Sequence, residues 1–115
     1  MKFRMMAEFS QAVLDGKELT AAFQWSVNDF AKGPEPGTIV AGIAVTSYIA
    51  DDGVEFDALR AQLTQSKHEL VVKVSSCESY RVVGQVVSAA VQGRVREVTT
   101  YTFVLRGALN IILHE

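Results

Sequence analysis

The sequence predicts a mainly β domain, a small antiparallel β-barrel or sandwich with one flanking α-helix. Three observations carry that expectation. The stretch 69–115 holds four runs, 70–74, 80–91, 98–106 and 109–113, each rich in Val, Ile, Leu, Tyr, Phe or Thr. In the third run Tyr101, Phe103 and Leu105 share one face and Thr100, Thr102 and Arg106 the other, the period of two expected of a half-buried strand. Phe56, Leu59 and Leu63 recur at helical spacing and give one apolar stripe.

Residues 1–115 are expected to form a single β-rich domain, long enough to bury a core. Apolar residues make up 49% and charged residues 21% of the chain, and the formal charge is −2. Tight nucleic-acid binding needs a basic surface, and this composition does not supply one. The lone Cys77 excludes an intrachain disulfide and fits a reducing compartment. The start, Met1-Lys2-Phe3-Arg4, is charged, but Glu8, Ser10 and Gln11 break the apolar run a signal peptide would need. No apolar run reaches membrane-spanning length.

The first strand is expected over 1–10, where Phe3, Met5, Ala7 and Phe9 alternate with more polar neighbours. Asp15-Gly16 is a hairpin turn signal between 12–14 and 17–19. The next strand is expected over 19–27, with Leu19, Ala21, Phe23, Trp25 and Val27 on its apolar face. Residues 28–37 read as a loop, because Gly33-Pro34-Glu35-Pro36-Gly37 continues neither helix nor central strand. A strand over 38–50 follows, with Gly42 as a bulge candidate. The helix is expected over 53–66, with Asp52 as N-cap and Glu55 completing a capping box. In the run 80–91, Tyr80, Val82 and Val86 should point one way and Val83, Val87 and Val91 the other, so both faces need cover. Gly93 and Gly107 are turn or bulge candidates between the later strands.

Chemistry is sparse. The histidines are His68, expected to be solvated between helix and strand, and His114, expected at the terminal surface. Asp51 and Asp52 are better explained by helix capping than as metal ligands. Cys77 and His68 could serve as a catalytic dyad only with an oxyanion element, and none is visible. No enzyme, cofactor or metal site is therefore expected. The exposed candidates are contact loops: Gly33, Pro34, Glu35, Pro36 and Gly37, and the basic spot of Arg94 and Arg96.

The order of elements resembles that of phage tail tube proteins and related tail-completion proteins. The stretches that carry the resemblance are Asp15-Gly16-Lys17-Glu18-Leu19 with the Trp25 strand, the 38–50 strand leading to Phe56-Asp57-Ala58-Leu59, and the strands 80–91 and 98–106. The resemblance implies a structural subunit that self-assembles into hexameric, stacked rings around a channel, contacts other tail proteins and lets DNA pass without sequence-specific binding or membrane contact. It implies a place in the virion tail, assembled in the host cytoplasm. A tail terminator or head–tail connector is the nearby variant. The alternative is a small β-rich adaptor or binding module that acts as a monomer or dimer.

Overall fold

The computed structural model describes residues 12–93 and 95–114. In chain order these form β1 (Ala12–Leu14), β2 (Lys17–Glu18), β3 (Ala22–Lys32), β4 (Ile39–Tyr48), α1 (Val54–Gln62), β5 (His68–Lys73), β6 (Glu78–Gln92) and β7 (Thr100–Leu113). The strand expected over 1–10 lies outside the described residues. The described strands make one antiparallel sheet of seven, in the order β2-β1-β5-β6-β7-β4-β3. It is a mainly β fold with one flanking helix, consistent with a small β-sandwich.

The connectivity forces this sheet to curl. Held flat, its two outer strands would stand about 29 Å apart at the usual strand spacing. Yet β2 and β3 are joined only by Leu19, Thr20 and Ala21, which span at most roughly 14 Å. The joint is secured by the Leu19 amide donating to Ala12 O, the Ala22 amide to Leu19 O and the Tyr48 amide to Ala21 O. The sheet thus folds over its own concave face. Leu14, Ile43, Val45, Leu70, Val72, Val82, Phe103 and Leu105 fill that face and are fully buried. Helix α1 covers it with Leu59 and Leu63, while Phe56 packs edge-on against Tyr101 at 4.9 Å.

The local signals explain several elements. Asp15 (φ 52) and Gly16 (φ 83) are the central pair of a two-residue hairpin, with Leu14 opposite Lys17. Two positive φ angles define the turn whose twist matches flanking strands, and Asp and Gly tolerate them best. Tyr101, Phe103 and Leu105 face the core as the alternation requires, and Thr102 on the other face meets Thr46, hydroxyl to hydroxyl, at 2.9 Å.

Other expectations are corrected. The runs 98–106 and 109–113 are one strand, because Gly107 is not a turn. It lies directly opposite Gly84, and a Cβ on either glycine would overlap the other strand's backbone. The residues are glycine because the two backbones approach there, inside a continuous ladder. Strand β3 starts at Ala22 and continues through Lys32, past the expected loop boundary at Asn28. A bulge between Asn28 and Ala31, with Asp29 at φ 58, absorbs the misfit, so the irregularity sits on β3, opposite Gly42 and not at it. A second irregularity between Ala22 and Gln24 turns Phe23 outward to stack on Tyr48 at 4.1 Å, away from the core. A bulge between Val86 and Ser88 reverses the facing of β6, so Val91, paired with Tyr101, stands on the same face as Val82.

The helix is shorter than expected and differently capped. Its N-cap is Gly53, left-handed at φ 67, with no side-chain cap. Asp52 Oδ1 accepts from the Val54 amide at 3.1 Å, and Glu55 accepts from the Thr20 hydroxyl. Glu55 therefore ties the helix to the β2–β3 connection and closes no capping box.

Candidate interaction surfaces

The main buried polar cluster in the described chain joins the β1–β2 turn to the helix end and β5. His68, expected in solvent, is 2% exposed. Its Nδ1 lies 2.8 Å from Asp15 Oδ2 and its Nε2 3.1 Å from Gln65 O. Asp15 also accepts from the Glu69 amide through Oδ1 and from Gln62 Nε2 through Oδ2. Burial pushes the Asp15 carboxyl up, but the hydrogen bonds from His68, Glu69 and Gln62 and the nearby imidazole outweigh it and hold the group below its ordinary value. Both ring nitrogens of His68 are engaged, and the ring is shut off from solvent. A general base needs an open nitrogen facing a substrate, so this geometry ties three elements together and offers no reaction partner.

The remaining chemical candidates are dispersed. Cys77 is exposed in the β5–β6 turn, where its carbonyl accepts from the His114 amide. His68 pairs with Gly84 at the far end of the same ladder, so Cys77 and His68 do not meet. His114 is exposed as expected, and its Nε2 lies 2.9 Å from Ser79 Oγ. Asp51 and Asp52 are both exposed. No group of three His, Cys, Asp or Glu among the described residues could hold a metal ion. A cleft between α1 and the β2–β3 connection, bordered by Leu19, Tyr48, Phe56 and Tyr101, leaves about 30 Å³, room for a water or two.

What the fold does present is sheet edge and exposed apolar surface. The ladder between β5 and β6 ends at the His68–Gly84 pair, while β6 continues along β7 to the Gln92–Thr100 pair. Residues 85–92 therefore have a partner on one side only among the described residues. The same is true of β3, the last strand of the sheet. The distal β6–β7 hairpin carries Val87, Val91, Val95 and Val98, all more than half exposed. On the opposite face two rows of this region are uncharged, and the next row carries Arg106 opposite Gln85. Cross-strand rows run Ala90–Thr102–Thr46–Gln24 and Ser88–Val104–Ala44–Ser26.

The loop candidates fall on the surface. Pro34, Glu35, Pro36 and Gly37 are exposed and Gly33 is half-buried. The loop is closed by the Gly33 amide donating to Thr38 O and the Thr38 hydroxyl donating to Glu35 O at 2.6 Å. It borders a shallow depression of about 250 Å³ with Ile39 and Ile111, both exposed. Arg96 is exposed in the β6–β7 loop at φ 68, and Arg94 lies outside the described residues. Sequence reasoning located these loops but missed the latch at His68 and the open edge at 85–92. The first had a readable half, the Asp15-Gly16 turn, but its partner is 53 positions away. The second had a signal in the uncharged run Gln85-Val86-Val87-Ser88-Ala89-Ala90-Val91-Gln92.

No protein-family model matches the chain, and no curated protein matches it. No helix among the described residues is long and apolar enough to cross a membrane.

Proposed function

We propose that this chain is a small β-rich interaction module that works by protein–protein contact through its open sheet edges and distal hairpin, without a catalytic step. The observation that carries this reading is the set of four valines on the distal hairpin, Val87, Val91, Val95 and Val98, each more than half exposed, beside an uncharged strand. Large apolar side chains left exposed together on one hairpin point to a contact site. The contact loops Gly33–Gly37 and the Arg96 turn extend the same role.

The test is a pair of charged variants, Val91→Asp and Val95→Asp, compared with the parent by thermal melting and by sedimentation across a concentration series. Both side chains are exposed, so the melting temperature should hold. Association should weaken strongly. A parent that remains monomeric at high concentration leaves the module reading to a heterologous partner. Variants that alter melting and not association would place these valines in the fold and sink the reading.

A narrower reading makes the chain a ring-forming subunit of a phage-type tail, assembled in a host cytoplasm and contacting other tail proteins. The observation that favours it is the uncharged patch formed by Gln24, Ser26, Ala44, Thr46, Ser88, Ala90, Thr102 and Val104, with Arg106 as the single cation in the adjoining row. Turned inward in a closed ring, such a wall would let DNA slide past, since clustered Lys or Arg would hold the phosphates. Electron microscopy of concentrated protein separates this reading: stacked rings or filaments support it, and isolated monomers or dimers oppose it.

A further inference from the structure

Resting on the interaction-module reading, we propose that each open edge has the other as its partner in a second copy of this chain. Residues 24–28 of β3 in one copy, open on one side among the described residues, pair antiparallel with residues 88–92 of β6 in the next.

The argument begins with parity. Distal β6, β7, β4 and β3 are four consecutive strands, antiparallel at every junction. In such a set the first and last strands run in opposite senses. A second copy added in the same orientation therefore brings its β6 antiparallel to β3, which is the pairing every described ladder in this fold uses. The lengths also match. The regular part of β3 runs from Gln24, past the irregularity after Ala22, to the bulge after Asn28, and the regular part of the β6 edge runs from Ser88, past its own bulge, to Gln92, five residues on each side.

Chemistry selects these two edges. Proteins guard an exposed edge with charge, proline, a bulge or extreme shortness. Strand β2 at the other side of the sheet is guarded: it is two residues long and both, Lys17 and Glu18, are charged. Residues 24–28 (Gln-Trp-Ser-Val-Asn) and 88–92 (Ser-Ala-Ala-Val-Gln) contain no charge and no proline, and each stretch lies clear of the bulges on its strand. Charges on β3 begin at Asp29, within the bulge that limits the edge.

The faces match as well. Trp25 pairs with Val45 and Val27 with Ile43, so both lie on the core side, where each is only half-buried. On the same side of distal β6 stand Ala89, opposite Phe103, and Val91, opposite Tyr101, both exposed. Joining the edges brings half-buried Trp25 beside exposed Val91 and Ala89, continuing one apolar face across the junction. The polar face continues likewise, with Gln24, Ser26 and Asn28 on one edge and Ser88, Ala90 and Gln92 on the other. Because the two edges differ, the contact is head-to-tail. It leaves one edge open at each end and repeats until the rotation closes a ring.

The test uses the full chain in a Cys77→Ser background. Gln24→Cys, Ser26→Cys and Asn28→Cys are each mixed with Ser88→Cys, Ala90→Cys or Gln92→Cys under mild oxidation. A disulfide needs Cα atoms roughly 4.4–6.8 Å apart, so one antiparallel register should cross-link and the others should not. We expect a disulfide only in mixtures of a β3 variant with a β6 variant. A chain carrying the matching pair of substitutions should give a ladder of multimers. Cross-linking of a β3 variant or a β6 variant with itself would overturn the proposal in favour of a two-fold dimer. Failure of all nine mixtures would overturn it too. If sedimentation still reports association in that case, the interaction-module reading survives through another surface. In support, amide hydrogen exchange at 24–28 and 88–92 should slow as concentration rises. Slowing confined to 109–113 would count against these edges.

Discussion

His68 and Asp15 meet at 2.8 Å across 53 positions of sequence, with the imidazole fully buried and the carboxylate held by two further donors. The contact ties the β1–β2 turn to the start of β5, where the chain leaves the helix. It places the Asp15 carboxylate where a change of its charge is felt by the turn, the helix end and the strand together.

Stability should therefore fall in acid through Asp15. Its folded-state pKa lies below the ordinary value of 3.8. A depressed carboxyl contributes its stability in full above the unfolded pKa and loses it as pH falls through the folded pKa. Urea melts between about pH 5 and pH 2 should show that decline. Asp15→Asn, which tolerates the left-handed backbone, should show a shallower one. Equal slopes for the two proteins would remove Asp15 from the explanation.

Removing the Asp15 side chain altogether leaves His68 buried with a lost partner. Asp15→Ala should cost roughly 1–3 kcal/mol at neutral pH, the cost of an unsatisfied buried polar group. Chemical denaturation at pH 7 is the measurement, and a loss near zero would mean that water replaces the carboxylate.

Phe103 is fully buried between β4 and β6 and near Tyr101. Phe103→Ala should cost roughly 3–5 kcal/mol, the range for emptying an aromatic site in a packed core. A denaturant melt that moves little would contradict its place in the core.

Gly107→Ala and Gly84→Ala should each destabilise by roughly 1–3 kcal/mol or more, because the added methyl overlaps opposing backbone and no flexible side chain can yield. Gly16→Ala serves as the contrast: a Cβ there meets nothing within 4 Å, and the cost comes only from its φ of 83. Thermal melts of the three variants should rank the paired glycines as the more damaging. The reverse order would mean that the ladder can spread at that point.

At the helix start the capping contribution belongs to Gly53 more than to Asp52. Asp52→Ala removes one exposed hydrogen bond to the Val54 amide and should cost about 0.5 kcal/mol or less, the low end for a cap. Gly53→Ala forces a side chain into φ 67 and should cost about 1 kcal/mol. Melts in which Asp52→Ala is the more damaging change would restore Asp52 as the cap.

What the sequence determined by itself was local. The Asp15-Gly16 turn depends on two residues whose φ angles are positive in the fold, and the facing of Tyr101, Phe103 and Leu105 on a period set by the strand alone. The helical stripe of Leu59 and Leu63 likewise needs only helical geometry. What only the tertiary structure decided was the meaning of residues whose partners are far along the chain. Gly107 looks like a turn until Gly84 is set opposite it, and His68 looks solvated until Asp15 is folded against it. The bulge after Val86 is another case. One inserted residue reverses every side chain beyond it, so the faces of Val82 and Val91 could not be read from alternation. A turn or a period is selected by sterics within a few residues, whereas a close approach, a buried hydrogen bond or a register shift exists only when distant parts of the chain are folded together.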